Sequence, residues 1–348
     1  MSAPAEALLA RAHELQPHLR EQRRQTAASG AHSEQTDALL RDAGFYRALV
    51  PARCGGLGLD LAAFLRTVVE LAQGCPGTAW CAGSLAGTAL QVASRFGERE
   101  QAEVFATGDA RCMPIGHPAA AAARAESGWV VDAASRVCTG ARLATHCLGE
   151  ARSAEGPLVF IAERASFELA EADAAGLAGA GSQAISLAQV PLEERFARPG
   201  AAEVSVQQAV LAAVFVGAAL AALERYEDLV RDGADALDAD TQRWLGAGIG
   251  RTTAAELLLL ETAEQYEAAC PPGALRARED DLRLAMMARE AMRLAWGAVA
   301  EIARTAAADR GDFEQIARDL LGGWGEPSIG PEEILVRELA RARLRVEA

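Results

Sequence analysis

A stretch of short β-type runs, from 111 to 195, lies between two long segments that are rich in alanine and leucine. Helices and strands bury apolar residues with different periods, so this change of pattern divides the chain into structural units. The β-type runs are 111–117, 128–133, 135–140, 158–162 and 184–190. Because ligand sites favour the boundaries between units, we expect a site where this segment meets the helices.

The 348 residues suffice for two or three structural units. We predict a helical N-terminal domain over 1–110, a β-domain over 111–198 and a C-terminal four-helix bundle over 199–348. Pro17 should kink or split the first helix, because proline cannot donate a backbone hydrogen bond. The bundle helices are predicted near 203–231, 240–269, 275–308 and 330–345.

The bulk properties exclude several classes of protein. A net charge of −14 argues against a nucleic-acid surface, which needs a basic stripe. The seven cysteines form no C-x-x-C pair and no metal-ligand spacing is evident, so we expect reduced thiols and no metal site. No signal peptide is apparent, and the apolar run 209–223 is shorter than the roughly 20 residues of a membrane span. We therefore expect a cytoplasmic protein, with no nucleic acid and no membrane as partner.

Several short motifs follow one another in a specific order. Val50-Pro51 precedes Gly55-Gly56-Leu57-Gly58, and a helix should begin after Asp60. The later motifs are Gly77-Thr-Ala-Trp80, Gly176-Leu-Ala-Gly-Ala-Gly-Ser182, Val190-Pro191, Arg318-Asp319 and Gly330-Pro-Glu-Glu-Ile334. Their order and spacing resemble the acyl-CoA dehydrogenase superfamily, which includes two-component flavin monooxygenases of the same fold. The motif that ends at Trp80 is more similar to the monooxygenase branch.

This resemblance implies a mainly α fold with a barrel-like β-domain between a helical N-terminal domain and a C-terminal four-helix bundle. It further implies FAD or FMN between the β-domain and the bundle, and a homodimer or homotetramer. The residues at the family's flavin-contact positions are Met113, Ile115, Gly116, His117, Thr145, Ser182 and Arg318.

The sequence departs from the family at several of these positions. The family's T-E-P falls at Gly116-His117-Pro118, and the A-G-S-D that follows is replaced by alanines. Ala178 stands where the family has the arginine of G-x-R, and the aromatic residue before Thr145 is missing. A family member without flavin is therefore an open alternative.

Two residues are candidates for acid–base catalysis. Glu326 lies just before the last helix, where many acyl-CoA dehydrogenases carry their base, and neighbouring Trp324 and Pro327 would desolvate its carboxylate. His146 lies in a turn-like segment, where an imidazole could face a flavin or move a proton near neutral pH. The plain alternatives are a solvated loop glutamate and a partly exposed loop histidine.

Three functions remain open. The leading hypothesis is a flavin-dependent oxidoreductase that oxidises an acyl thioester or related small molecule by hydride transfer to flavin. The second is a two-component flavin monooxygenase (a hydroxylase) that receives reduced flavin from a partner reductase. The third is a flavin-free family member with a non-redox or binding role.

Overall fold

The structure is a computed structural model. It describes residues 1–115, 120–172, 176–232, 239–269, 276–305, 310–325 and 332–344.

Helices make up the N-terminal part of the chain. They are α1 (Ala3–Ser29), α2 (Glu34–Ala43), α3 (Leu61–Gly74), α4 (Pro76–Arg95) and α5 (Glu98–Val104). Pro17 does not split α1, which continues through it as one helix of 27 residues. Its apolar face, which includes Leu8, Leu15 and Leu19, is buried and packs against α3. This packing outweighs the one backbone hydrogen bond that proline removes.

The described strands lie in the middle of the chain. They are β1 (Cys112–Pro114), β2 (Ala121–Ala125), β3 (Gly128–Cys138), β4 (His146–Ser153), β5 (Gly156–Glu163), β6 (Glu168–Ala170), β7 (Gln183–Glu193) and β8 (Ala197–Pro199). They form one mixed sheet in the order β6-β7-β3-β2-β4-β5-β8, and β1 pairs in parallel with β4. One face joins the large core shared with the helices, and part of the other covers a smaller core with the C-terminal half of α4 and the end of α5.

The polar residues around His146 indicate a turn, but the structure places His146 in a strand. It is the first residue of β4, where it pairs in register with Cys112 of β1 and Glu163 of β5. The next residues, Cys147 and Leu148, are buried on opposite faces of the sheet. The segment is a strand because it pairs with a strand on each side and buries residues on both faces. Adjacent apolar residues leave no alternating pattern, and the polar residues before them suggested a turn.

Helices return after β8. They are α6 (Ser205–Asp232), α7 (Ala239–Ala268), α8 (Arg278–Thr305), α9 (Arg310–Trp324) and α10 (Glu332–Leu344). Helices α6, α7 and α8 pack on one another, α9 packs on α6 and α8, and α10 packs on α8. Helix α9 was absent from the sequence prediction. Its buried Phe313, Ile316 and Leu320 have helical spacing, but Gly322 and Gly323 at its end indicated a loop.

Helix α6 is the central helix of the C-terminal part. In the described part of the chain, its residues Ser205–Arg231 are the one stretch long and apolar enough to cross a membrane, with a mean hydropathy of 2.0. The most apolar window is 94% buried inside the protein, as in the core helix of a soluble protein. The predicted assignment of 209–223 to the core agrees with this burial.

Candidate functional site

The parallel pairing of β1 with β4 brings several predicted site residues onto neighbouring strands. Met113 lies opposite Cys147, and both side chains are buried in the large core, as is Ile115. His146 lies opposite Cys112, one position away from Met113 in the ladder. Because side chains alternate along a strand, His146 faces the other side of the sheet from Met113 and Ile115.

His146 lines a cavity of about 220 Å³ between the sheet and α5. Polar and apolar groups from α5, β5, β7 and the short turns that follow those strands share this cavity. They include Glu103, Val104, Ile161, Glu163, Ser166 and Phe196. A small concave site with a few polar groups on an apolar wall has the composition of a ligand pocket, although its volume lies below the roughly 300 Å³ of drug-sized sites.

Thr145 fixes the imidazole of His146. The hydroxyl Oγ1 of Thr145 lies 2.9 Å from Nδ1 of His146 and accepts a 2.9 Å hydrogen bond from the backbone N–H of Arg111. Burial lowers the pKa of His146, and the carboxylate of Glu163 partly opposes this change. The imidazole is therefore neutral at neutral pH, where it is able to accept or pass on a proton.

Ser182 lies in a different place, a groove of about 350 Å³ beside the C-terminal end of α1. Arg142 and Ser182 offer this groove a positive charge and a hydroxyl, which are common partners of phosphate. Glu171 and the last turn of α1 also line it and contribute negative charge. Anion binding in this groove would therefore depend on Arg142, a residue that the sequence prediction did not single out.

Of the remaining predicted residues, those that the structure describes do not line either concavity. The side chain of Arg318 is 60% exposed and pairs with Glu314 one turn earlier, at 3.2 Å. Gly116, His117 and Glu326 lie outside the described residues. Among the described residues, no group of three or more histidine, cysteine or acidic side chains could hold a metal ion.

Asp319, the neighbour of Arg318, is the buried member of the Arg-Asp pair. Its carboxylate accepts a hydrogen bond from the backbone N–H of Ala178, in the loop that leads to Ser182, and another from Gln315. Burial raises the pKa of Asp319 to about 6, although the hydrogen bonds and the charge of Arg23 oppose this change. Asp319 is thus a buried acid whose hydrogen bond to Ala178 connects α9 to the loop beside the groove.

We predict that Asp319→Asn alters the pH dependence of stability. The folded pKa of about 6 lies above the ordinary aspartate value of 3.8, so the ionised carboxylate destabilises the fold above pH 6 and this penalty disappears as the pH falls towards 4. Asparagine keeps an oxygen that accepts from Ala178 but carries no charge. The unfolding free energy of Asp319→Asn minus that of the native chain should therefore rise by up to about 3 kcal/mol between pH 4 and pH 7.

Urea denaturation at several pH values measures this difference. Glu314→Gln is the matched control, because Glu314 lies on the same helix but is 65% exposed. Its stability relative to the native chain should stay nearly constant over the same range. A difference for Asp319→Asn that does not change between pH 4 and pH 7 would contradict the prediction.

Two structural links between the helices and the β-domain escaped the sequence prediction. The indole Nε1 of Trp80 donates a 2.9 Å hydrogen bond to the hydroxyl of Thr139, and both residues are fully buried. The guanidinium of Arg111 pairs with Asp37 of α2 at 3.1 Å. Trp80 belongs to a motif and Arg111 begins a β-type run in the sequence analysis. Their partners, Thr139 and Asp37, could not be predicted from the sequence.

The family comparison agrees with this architecture. Residues 8–110 match the family model described as acyl-CoA dehydrogenase, N-terminal domain. With the arrangement of strands and C-terminal helices, this match confirms the predicted resemblance to acyl-CoA dehydrogenases and the predicted fold. No protein with a curated description matches the sequence.

Solved structures match over almost the whole chain. The HsaA monooxygenase from M. tuberculosis is 18% identical with a TM-score of 0.87, over 99% of this chain and 100% of that chain. XiaF from Streptomyces sp., in complex with FADH2 and glycerol, is 16% identical with a TM-score of 0.84, over 99% and 96%. KijD3, in complex with FMN and a dTDP-linked amino-keto sugar, is 18% identical with a TM-score of 0.84, over 100% and 95%.

Proposed function

We propose that the chain is a flavin-dependent oxidoreductase and, within that class, a monooxygenase that receives reduced flavin from a partner reductase. The observation that carries this proposal is the full-length likeness to HsaA, which is named a monooxygenase, and to two structures with FADH2 or FMN bound. Trp80 and its motif support the same branch. The monooxygenase, which was the second hypothesis from the sequence, thus becomes the first, and the dehydrogenase becomes the second.

The described residues include the kinds of polar group that bind a flavin. An isoalloxazine edge takes hydrogen bonds on ring nitrogens and carbonyl oxygens, and Thr145 and His146 offer a hydroxyl and an imidazole at the start of β4. Arg142 and Ser182 offer partners for a phosphate. When bound, the flavin supplies the electrons for oxygen or substrate chemistry. The cavity at His146 and the groove at Ser182 are separate, however, and the side chains of Met113 and Ile115 are buried on the other face of the sheet from His146. The flavin contacts that the resemblance implies at Met113, Ile115, Gly116, His117 and Arg318 therefore stay predictions.

We assign His146 the role of acid or base. Its neutral imidazole is anchored at Nδ1 by Thr145, and no described residue hydrogen-bonds to Nε2. Nε2 is therefore the nitrogen available to a substrate. The substrate would be a small molecule, and the protein a cytoplasmic homodimer or homotetramer.

The dehydrogenase remains the second candidate, because residues 8–110 match the acyl-CoA dehydrogenase model. Here Glu326 would remove a proton from an acyl thioester. In that case Glu326→Gln abolishes turnover of the acyl thioester and leaves flavin affinity intact. A fully active Glu326→Gln enzyme would remove Glu326 as the base.

Flavin titration tests the proposal. Purified protein mixed anaerobically with reduced FMN or FAD should change the flavin spectrum in a saturable manner. On mixing with oxygen, the protein should delay the return of the oxidised-flavin absorbance. Rapid bleaching of oxidised flavin by an acyl thioester would favour the dehydrogenase. No spectral change or fluorescence quenching with either flavin, oxidised or reduced, would leave the flavin-free alternative.

A further inference from the structure

The guanidinium of Arg111 is buried where the N-terminal helices meet the β-domain. Its side chain is 7% exposed, and its Nη1 and Nε lie 3.1 Å and 3.0 Å from the carboxylates of Asp37 and Asp109. The ring of Tyr46 lies against it, with 4.6 Å between the guanidinium carbon and the ring centroid. Contacts on two edges and one face leave the guanidinium a single orientation.

Asp37, the partner on α2, is itself held in place. The hydroxyl of Tyr46 donates a 2.7 Å hydrogen bond to Asp37 and lies 3.3 Å from Nε2 of buried His32. Burial acts to raise the pKa of Asp37, but the nearby imidazole of His32 (3.7 Å), the hydrogen bond from Tyr46 and the charge of Arg111 outweigh it and lower the pKa to about 2. Asp37 is therefore ionised at any pH at which the protein works, and the pair with Arg111 persists.

The backbone of Arg111 transmits this fixed position to β4. Its N–H donates to the hydroxyl of Thr145 at 2.9 Å, and its C=O accepts from the N–H of Thr145 at 2.9 Å and of His146 at 3.2 Å. The same hydroxyl lies 2.9 Å from Nδ1 of His146. Asp37 thus holds the guanidinium of Arg111, the covalent side chain joins the guanidinium to the backbone, and the backbone N–H bonds the Thr145 hydroxyl that contacts the imidazole.

We propose that Arg111 is a positioning residue for His146 and acts through the hydroxyl of Thr145. The helical N-terminal part of the chain thereby fixes the ring orientation that directs Nε2 into the cavity. The catalytic meaning of this arrangement rests on the acid–base role proposed for His146, but the arrangement itself does not require flavin.

Other charged groups near His146 must be separated from this effect. Glu163 of β5, Glu103 of α5 and Glu193 of β7 line the same cavity. Arg195 pairs with Glu103 and Glu193, at 2.6 Å and 2.7 Å. A substitution of Arg111 leaves all of these groups in place. It could, however, change the pKa of His146 through its own charge as well as through Thr145, so the experiment must distinguish the two routes.

A double-mutant cycle followed by NMR separates them. The pKa and ring ¹⁵N shifts of His146 are measured without flavin in the native chain, Arg111→Met, Thr145→Val and the double variant. Thr145→Val keeps the side-chain shape and removes the hydroxyl. We expect Arg111→Met alone to raise the pKa of His146 by about 0.5–1 unit, because a loosened ring is better hydrated. In the Thr145→Val background the same substitution should have almost no further effect.

Two controls accompany the cycle. Thr145→Ser restores the hydroxyl and should restore the native pKa and ¹⁵N shifts of His146. The ring ¹⁵N shifts of His13, whose side chain is 77% exposed, should not differ between the variants. If Arg111→Met does not fold, Tyr46→Phe replaces it, since this change removes the hydroxyl that holds Asp37 and keeps the ring beside the guanidinium.

The outcomes are distinct. An equal shift of His146 in both backgrounds would show a direct charge effect, and no shift in either would show no coupling; both overturn the proposal. The predicted non-additive shift in a protein that binds no flavin would uphold the positioning role and reject the proposed function. Flavin binding without this non-additivity would support the proposed function and reject the positioning role of Arg111.

Discussion

Replacement of Gly322 by alanine is expected to destabilise the protein by about 3 kcal/mol or more. A Cβ at Gly322 would lie 2.0 Å from the Cα of Gly176, far inside van der Waals contact. Both partners are backbone, so no flexible side chain can move aside. Alanine would otherwise stabilise the helix by about 1 kcal/mol relative to glycine, and the steric clash outweighs this gain.

Gly246 is the matched control for this substitution. It also lies within a helix, α7, but a Cβ there would meet no atom within 4 Å. Gly246→Ala should therefore raise the unfolding free energy by about 1 kcal/mol. The reciprocal change Gly176→Ala should resemble Gly322→Ala, because its Cβ would lie 2.2 Å from the Cα of Gly322.

Urea denaturation of the four proteins tests the contact. A Gly322→Ala variant as stable as Gly246→Ala would mean that α9 does not lie against the 176–179 loop in solution. The position of α9 also matters for the site, because this loop leads to Ser182 and lines its groove. Loss of the contact should therefore lower stability and also weaken the proposed binding of a flavin phosphate in the groove.

The same contact shows why the sequence predicted the fold better than its details. The change from helical to alternating patterns and the order of motifs were sufficient for the helix–sheet–helix plan. In the sequence, Gly322 and Gly323 favour a loop, because glycine weakens an isolated helix. Their value is visible only with Gly176 and Phe215 in place, where the small residues permit close approach of the backbone and of an aromatic ring. Such contacts join distant parts of the chain and leave no periodic pattern.

The candidate site was predictable to a smaller extent for the same reason. His146 and Thr145 were selected from their chemistry and their position in the motif order. Arg111 was recognised only as the start of a β-type run, because its partner Asp37 lies 74 residues away. No local spacing links the two. The opposite orientations of Met113 and His146 likewise depend on the register between β1 and β4, which neither strand determines alone.

Asp281 should be among the most sensitive positions in the C-terminal part of the chain. Its side chain is 2% exposed and accepts hydrogen bonds from the backbone N–H groups of Val204, at 3.1 Å, and Ser205, at 2.9 Å, where α6 begins. Its other oxygen pairs with Arg278 at 2.9 Å. One carboxylate thus satisfies the start of the central helix and a neighbouring positive charge.

Asp281→Ala is expected to lower the unfolding free energy by about 3–5 kcal/mol, because it leaves buried N–H groups and a partly buried guanidinium without this acceptor. Asp280→Ala is the control, since the adjacent Asp280 is 41% exposed and its contact with Arg283 is long, at 3.5 Å. That variant should stay within about 0.5 kcal/mol of the native chain. Asp281→Asn, which keeps one acceptor oxygen, should fall between the two. Equal stabilities of Asp281→Ala and Asp280→Ala in urea would show that the carboxylate does not hold the start of α6.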